Sequence, residues 1–129
     1  MAIEFKQPGK IIDVTLAANA GYHDLVAIGD YMIGVTRHSG ASGDTVACDV
    51  DGVFTFAKAA GSALNQGTPV TVAVDAETDL ATATATSAGS TSNGVVWKTA
   101  ASAATVVEVK INVAIPVPAE QASGGGTTG

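Results

Sequence analysis

The stretch VVEVKINVAI, residues 106–115, alternates apolar and polar side chains along almost its whole length. Val107, Val109, Ile111, Val113 and Ile115 share one side of an extended chain, and Glu108, Lys110 and Asn112 share the other. A period of two is the geometry of a β-strand with one buried face, because successive side chains point to opposite sides. The pattern therefore predicts a strand that ends near Ile115, with Val107, Val109, Ile111 and Val113 in a core. The same period recurs outward from this stretch. PVTVAV at 69–74 aligns Val70, Val72 and Val74, IIDVTL at 11–16 aligns Ile12, Val14 and Leu16, and IEF at 3–5 pairs Ile3 with Phe5. Shorter strands are expected in DLVAI (24–28), YMIGVT (31–36), TVACDV (45–50), VFTF (53–56), LATATAT (80–86) and GVVWK (94–98).

Clusters of Gly, Asp, Asn and Ser separate these runs, for example HSGASGD at 38–44 and SAGSTSNG at 87–94. Many short strands at such spacing predict an all-β fold, a small barrel or sandwich of antiparallel strands. At most one short helix fits, within Ala59 to Gln66, with Gly67 as its stop. Asp51-Gly52 reads either as a two-residue hairpin or as a bulge in one bent strand. Asn93-Gly94 is a second hairpin candidate, joining the Thr/Ala-rich run to VVW. The expected organisation is an N-terminal arm at 1–10, a β domain at 11–115, and an extended, flexible tail at 116–129. Pro116 and Pro118 cannot donate to a β ladder, and the Gly/Ser/Thr run beyond them has nothing to bury.

Length and composition narrow the function. The 129 residues fit one domain, which at this size needs no disulfide or metal to fold. Aromatic residues are only 5%, so the core is thin and built mainly of Val and Ala. A net charge of −6 with six Lys and Arg argues against nucleic-acid binding by phosphate neutralisation and against an anionic membrane surface. Charged residues make up only 14%, which suits close packing against other subunits better than life as a free monomer. A single cysteine allows no internal disulfide. MAIEFKQPGK has no apolar signal-like core, and no apolar run approaches a membrane span, so cytoplasmic synthesis is expected.

Candidate chemistry is sparse. Lys58 lacks an identifiable reacting partner, so a strand-end lysine covering apolar surface is the better reading. DAETD at 75–79 begins like a calcium loop, but Leu80 stands where such a loop needs Gly and Thr86 where it needs Glu. An acidic turn is expected instead. GGGTTG at 124–129 matches a dinucleotide pattern only literally, without a following helix. His23, His38 and Cys48 could meet only through the fold, and Cys48, alternating with Val46 and Val50, reads as a buried small hydrophobe. Trp97 belongs to a core or an interface. No catalytic residue, metal ligand or cofactor is expected, and the chain is not read as an enzyme.

The order of the motifs carries more. Gly29, Asp30, Ile33, Gly34 and Val35 form a G-D-x-x-G-V-like step, followed by a turn at Gly43. Gly52, Val53, Phe54, Lys58 and Ala59 form a second step, and Ala63, Leu64, Gly67 and Val70 form a short ramp. A Thr/Ala-rich hairpin, GVVW and VEVKINV complete the series. This succession, over roughly residues 2–115, resembles the capsid decoration, or cement, proteins of tailed phages. The resemblance implies a structural role on the outer capsid surface, with the major capsid protein and further copies of the chain as partners. It favours trimers, with dimers as the alternative, and makes Lys58 part of a scaffold motif. The expected contact residues are Ile3, Phe5, Lys6 and Pro8 in the arm, and Pro116 and Pro118 in the tail. The extension from Pro116 lies outside the family's pattern. The alternatives are another virion β module, of tail or head fibre, or a small ligand-binding or enzymatic barrel.

Overall fold

A computed structural model describes residues 3–4, 7–30 and 32–119. Its nine strands are β1 (Ile11–Thr15), β2 (Leu25–Ile28), β3 (Met32–Thr36), β4 (Thr45–Asp49), β5 (Val53–Ala57), β6 (Pro69–Val74), β7 (Ala81–Ala85), β8 (Gly94–Lys98) and β9 (Val106–Ile111). They build two units, a four-stranded antiparallel sheet in the order β1-β4-β3-β2 and a closed five-stranded barrel in the order β5-β7-β6-β8-β9. The described residues contain no helix. Ala59–Gln66 is a run of turns instead, anchored by the Leu64–Ala100 bridge.

The barrel interior is the alternation seen in the sequence. Val70 and Val72 of β6, Ala83 of β7, Val96 of β8, and Val107, Val109 and Ile111 of β9 are all at most 3% exposed. Ile33 and Val35 of the sheet join this cluster, so the sheet packs on the barrel through alternate residues of β3. The opposite face of the sheet holds a smaller cluster of Leu16, Val46 and Cys48, against which Val14, Ala20 and Val26 pack. Gly94 is required where β8 meets β9. A Cβ there would lie 2.6 Å from Cγ1 of Val109 and 3.2 Å from the Lys110 carbonyl.

Two turn assignments are corrected. Asp51-Gly52 closes no hairpin, because β4 pairs with β1 and β3 whereas β5 pairs with β9 and β7. The pair carries the chain from the sheet into the barrel, with Gly52 at φ +128°. Asn93-Gly94 closes no hairpin either, since β7 and β8 both pair with β6 and not with each other. The Asn93 side chain acts as a piece of strand. Its Oδ1 accepts from the Val72 amide at 2.7 Å and its Nδ2 donates to the Val72 carbonyl at 3.0 Å.

The last strand also ends earlier than its alternation suggests. β9 stops at Ile111, and Asn112 adopts a left-handed backbone at φ +60°. Asn is one of the few non-glycine residues that tolerate this conformation. Val113 therefore leaves the barrel interior and is only partly buried. Residues beyond it run along the segment after β7. The Ile115 amide bonds Oγ of Ser92 at 2.9 Å, the Val117 amide bonds the Ser90 carbonyl at 2.8 Å, and the Gly89 amide bonds the Val117 carbonyl at 2.9 Å.

Candidate interaction surface

The residues singled out for chemistry turn out to hold the backbone together. Lys58 follows β5 and is 5% exposed. Its ammonium donates to the carbonyls of Ala59 at 3.0 Å, Ala104 at 3.1 Å and Ser102 at 3.4 Å. Three carbonyl dipoles offset part of the cost of burying the charge and tie the loop after β5 to the loop before β9. This fits a scaffold lysine, although it is more deeply buried than a surface-covering stem would be.

Asp75 makes the acidic stretch an Asx turn between β6 and β7. Its Oδ1 accepts from the amides of Glu77 at 2.7 Å and Thr78 at 3.3 Å, while Asp79 takes φ +59°. Among the described residues, no group of three His, Cys, Asp or Glu is placed to hold a metal ion.

His23, His38 and Cys48 have separate surroundings. The His23 ring stacks on Tyr22 with centroids 3.9 Å apart and meets Phe54 edge-on. His38 Nδ1 lies 3.1 Å from the Ser39 carbonyl, and its Nε2 accepts from the Ala47 amide at 3.4 Å. Cys48 is fully buried, and burial, followed by the charges of Asp49 and Asp13, pushes its thiol pKa up. A nucleophile needs the opposite shift.

Sequence reasoning missed the residues that lock the two units together. Asn112 Oδ1 accepts from the Ile33 amide at 2.9 Å, and its Nδ2 donates to the carbonyls of Ile33 at 2.7 Å and Val50 at 2.8 Å. One side chain thus joins the end of β9 to β3 and to the β4–β5 crossing. In the sequence, Asn112 was simply the third polar residue of an alternating strand. The interruption of VEVKI by an amide residue was the available signal. Thr36, fully buried, does similar work inside the sheet, donating to the Gly21 carbonyl at 2.6 Å and accepting from the Asp24 amide at 2.9 Å.

The described surface exposes several large apolar side chains. Ile3 is 97% exposed, and Tyr22, Leu80, Val106, Trp97 and Val74 are each half exposed or more. Trp97 lies on the bulge where the β8–β9 register shifts between Val96 and Lys98, which turns the indole outward. Two clefts flank β2. One, of about 590 Å³, is bounded by Val14–Ala20, His23–Ala27, Val74 and Asp79–Ala81. The other, of about 860 Å³, is bounded by β2, β3, β6 and the segment from Thr84 to Asn93.

Of the expected contact residues, Ile3, Pro8, Pro116 and Pro118 are all exposed, with Pro116 bridged to Thr91. Phe5 and Lys6 lie outside the described residues, as does the tail from residue 120 onward.

Comparison with curated proteins found no match. The model of a protein family described as phage cement protein matches residues 6–111, which run from the arm to the last residue of β9. All nine strands, the buried Lys58 and both clefts fall within that span. The chain belongs to the phage cement protein family, structural proteins of the phage capsid.

Proposed function

We propose that this chain binds the outer face of an assembled capsid and bridges neighbouring major capsid subunits, so that the shell resists the pressure of packaged DNA. The observation that carries this reading is the spread of exposed apolar side chains over a body clamped by internal hydrogen bonds. Tyr22, Leu80, Trp97 and Val106 protrude from separate loops and strands instead of converging on one enclosed pocket. Several weak contacts per copy, repeated by the symmetry of a shell, bind through avidity rather than individual affinity. A body at 11–115 carries an arm at 1–10 and an extension from 116, and these supply further contacts through Ile3, Phe5, Lys6, Pro8, Pro116 and Pro118. Copies associate as trimers at local threefold positions, with dimers as the alternative.

A reconstruction of the virion tests the location. Density for the chain on the outer capsid lattice, touching two or more capsid subunits, is expected. Density on a tail or head fibre would assign it there instead. Deleting residues 2–7 tests the arm, and is expected to lower capsid occupancy more than it lowers the melting temperature. Full occupancy after the deletion would remove the arm from the interface.

A further inference from the structure

The barrel closes on itself, but the four-stranded sheet does not. Among the described residues β2 pairs with β3 alone, and β1 with β4 alone. Both edge strands contribute to the same cleft, β1 through Val14 and Thr15 and β2 through Leu25 to Ala27. Leu16, Val74 and Leu80 add apolar surface, and Asp24 and Asp79 add carboxylates, while among the described residues no Lys or Arg lines it. An edge strand beside apolar sockets under an acidic lip suits one kind of occupant. It is an extended segment with alternate apolar side chains and positive charge.

The sequence contains such a segment just before β1. IEFK at 3–6 places apolar residues two apart next to a lysine. Ile3 is 97% exposed, so the described residues of its own chain give it almost no burial. The arm joins β1 at Ile11, whereas the cleft is bounded by the other end of that strand and by Ala17–Ala20. To reach its own cleft the arm would have to double back along β1, about 17 Å for five residues. A second copy has no such constraint. We propose that the N-terminal segment of a second copy adds as a strand to the free edge of β2, with Ile3 seated in the cleft beside Leu80. Pro8 cannot donate a ladder hydrogen bond, so the pairing ends before it and leaves the arm free to cross between copies. This rests on the reading that copies sit side by side on the capsid, and it names what joins them.

Cysteine pairs in full-length protein test it. Chains carrying Ile3→Cys and chains carrying Leu80→Cys are mixed at high concentration and oxidised. Cys48 is fully buried and does not compete. The control replaces Leu80→Cys with Val53→Cys, at a partly exposed position that lines neither cleft. The expected result is several-fold more cross-linked dimer with Leu80→Cys than with Val53→Cys. Equal yields would overturn the proposal. So would a double variant, Ile3→Cys with Leu80→Cys, that closes within one chain at high dilution, because the arm would then fill its own cleft. Co-sedimentation of the unsubstituted chain with capsids is scored separately. A parent chain that binds capsids while Leu80→Cys and Val53→Cys cross-link equally refutes strand exchange and leaves capsid binding standing, whereas a parent chain that fails to bind capsids refutes the proposed capsid bridging.

Discussion

Asn112 is the residue whose replacement most directly tests how the two units are held together. Its side chain makes three hydrogen bonds, to the amide and carbonyl of Ile33 and to the carbonyl of Val50, all partly buried. At about 1 kcal/mol net for each bond, their loss costs about 3 kcal/mol. The left-handed backbone at φ +60° adds a second term. Alanine is strained there by about 1 kcal/mol, while glycine is not. Asn112→Ala is therefore expected to cost about 4 kcal/mol and Asn112→Gly about 3 kcal/mol. Asn112→Asp has nearly the same shape but reverses one end of the interaction. It still accepts from the Ile33 amide, but a carboxylate oxygen now faces two carbonyls. Its cost should approach that of alanine at neutral pH and shrink in acid, where a protonated carboxyl can donate again. Urea unfolding of the four proteins measures these differences through the midpoint at constant slope. An alanine variant within 1 kcal/mol of the parent, or an aspartate variant that matches asparagine at neutral pH, would refute the clamp.

Ile111→Ala should cost about 2–5 kcal/mol because the side chain is 1% exposed, whereas Lys110→Ala, which removes only a surface pair with Asp51, should cost under about 1 kcal/mol. Equal losses in melting temperature would contradict the register of β9. Lys58→Met keeps the stem but leaves three carbonyls without their ammonium, so a loss of about 1–3 kcal/mol is expected, together with faster hydrogen exchange at Gly61, whose amide bonds the Ser102 carbonyl. Unchanged stability and exchange would show that the ammonium holds nothing. Cys48 should resist thiol reagents until the chain unfolds, and rapid labelling of the native protein would contradict its burial. Because its folded pKa is raised, its contribution to stability is complete below the ordinary value of 9.0 and is lost as pH rises through the higher folded value. Alkaline melting should therefore fall more steeply in the parent than in Cys48→Ala.

The strands were legible because burial on one face imposes a period of two, and Val107, Val109 and Ile111 follow that rule to within 3% exposure. The connections were not, because a turn signal gives a change of direction but not a pairing partner. Asp51-Gly52 and Asn93-Gly94 both look like hairpins, yet the strands on either side of each pair with other strands, β4 with β1 and β3, β5 with β9 and β7, and β7 and β8 both with β6. Side-chain amides that substitute for backbone were equally hidden. Asn93 and Asn112 look like ordinary polar residues until the carbonyls they face are brought beside them by the fold. On the surface, the cleft beside β2 depends on how sheet and barrel meet and leaves no local trace in the sequence.

The way the barrel shuts has a consequence for its synthesis. β5 shares five residue pairs with β9 but only the single parallel bridge Ala57–Thr82 with β7. On an emerging chain β5 appears first, and β6, β7 and β8 can pair among themselves while β5 still lacks its main partner. Until β9 leaves the ribosome, the edge of β5 that takes five of its residue pairs is open. Such a strand is a template for mispairing. The two phenylalanines of β5, Phe54 and Phe56, and the single lysine behind it are then what the cell's chaperones meet, and a ribosome that stalls between β8 and β9 would release a chain prone to aggregate rather than a loosened version of the native protein.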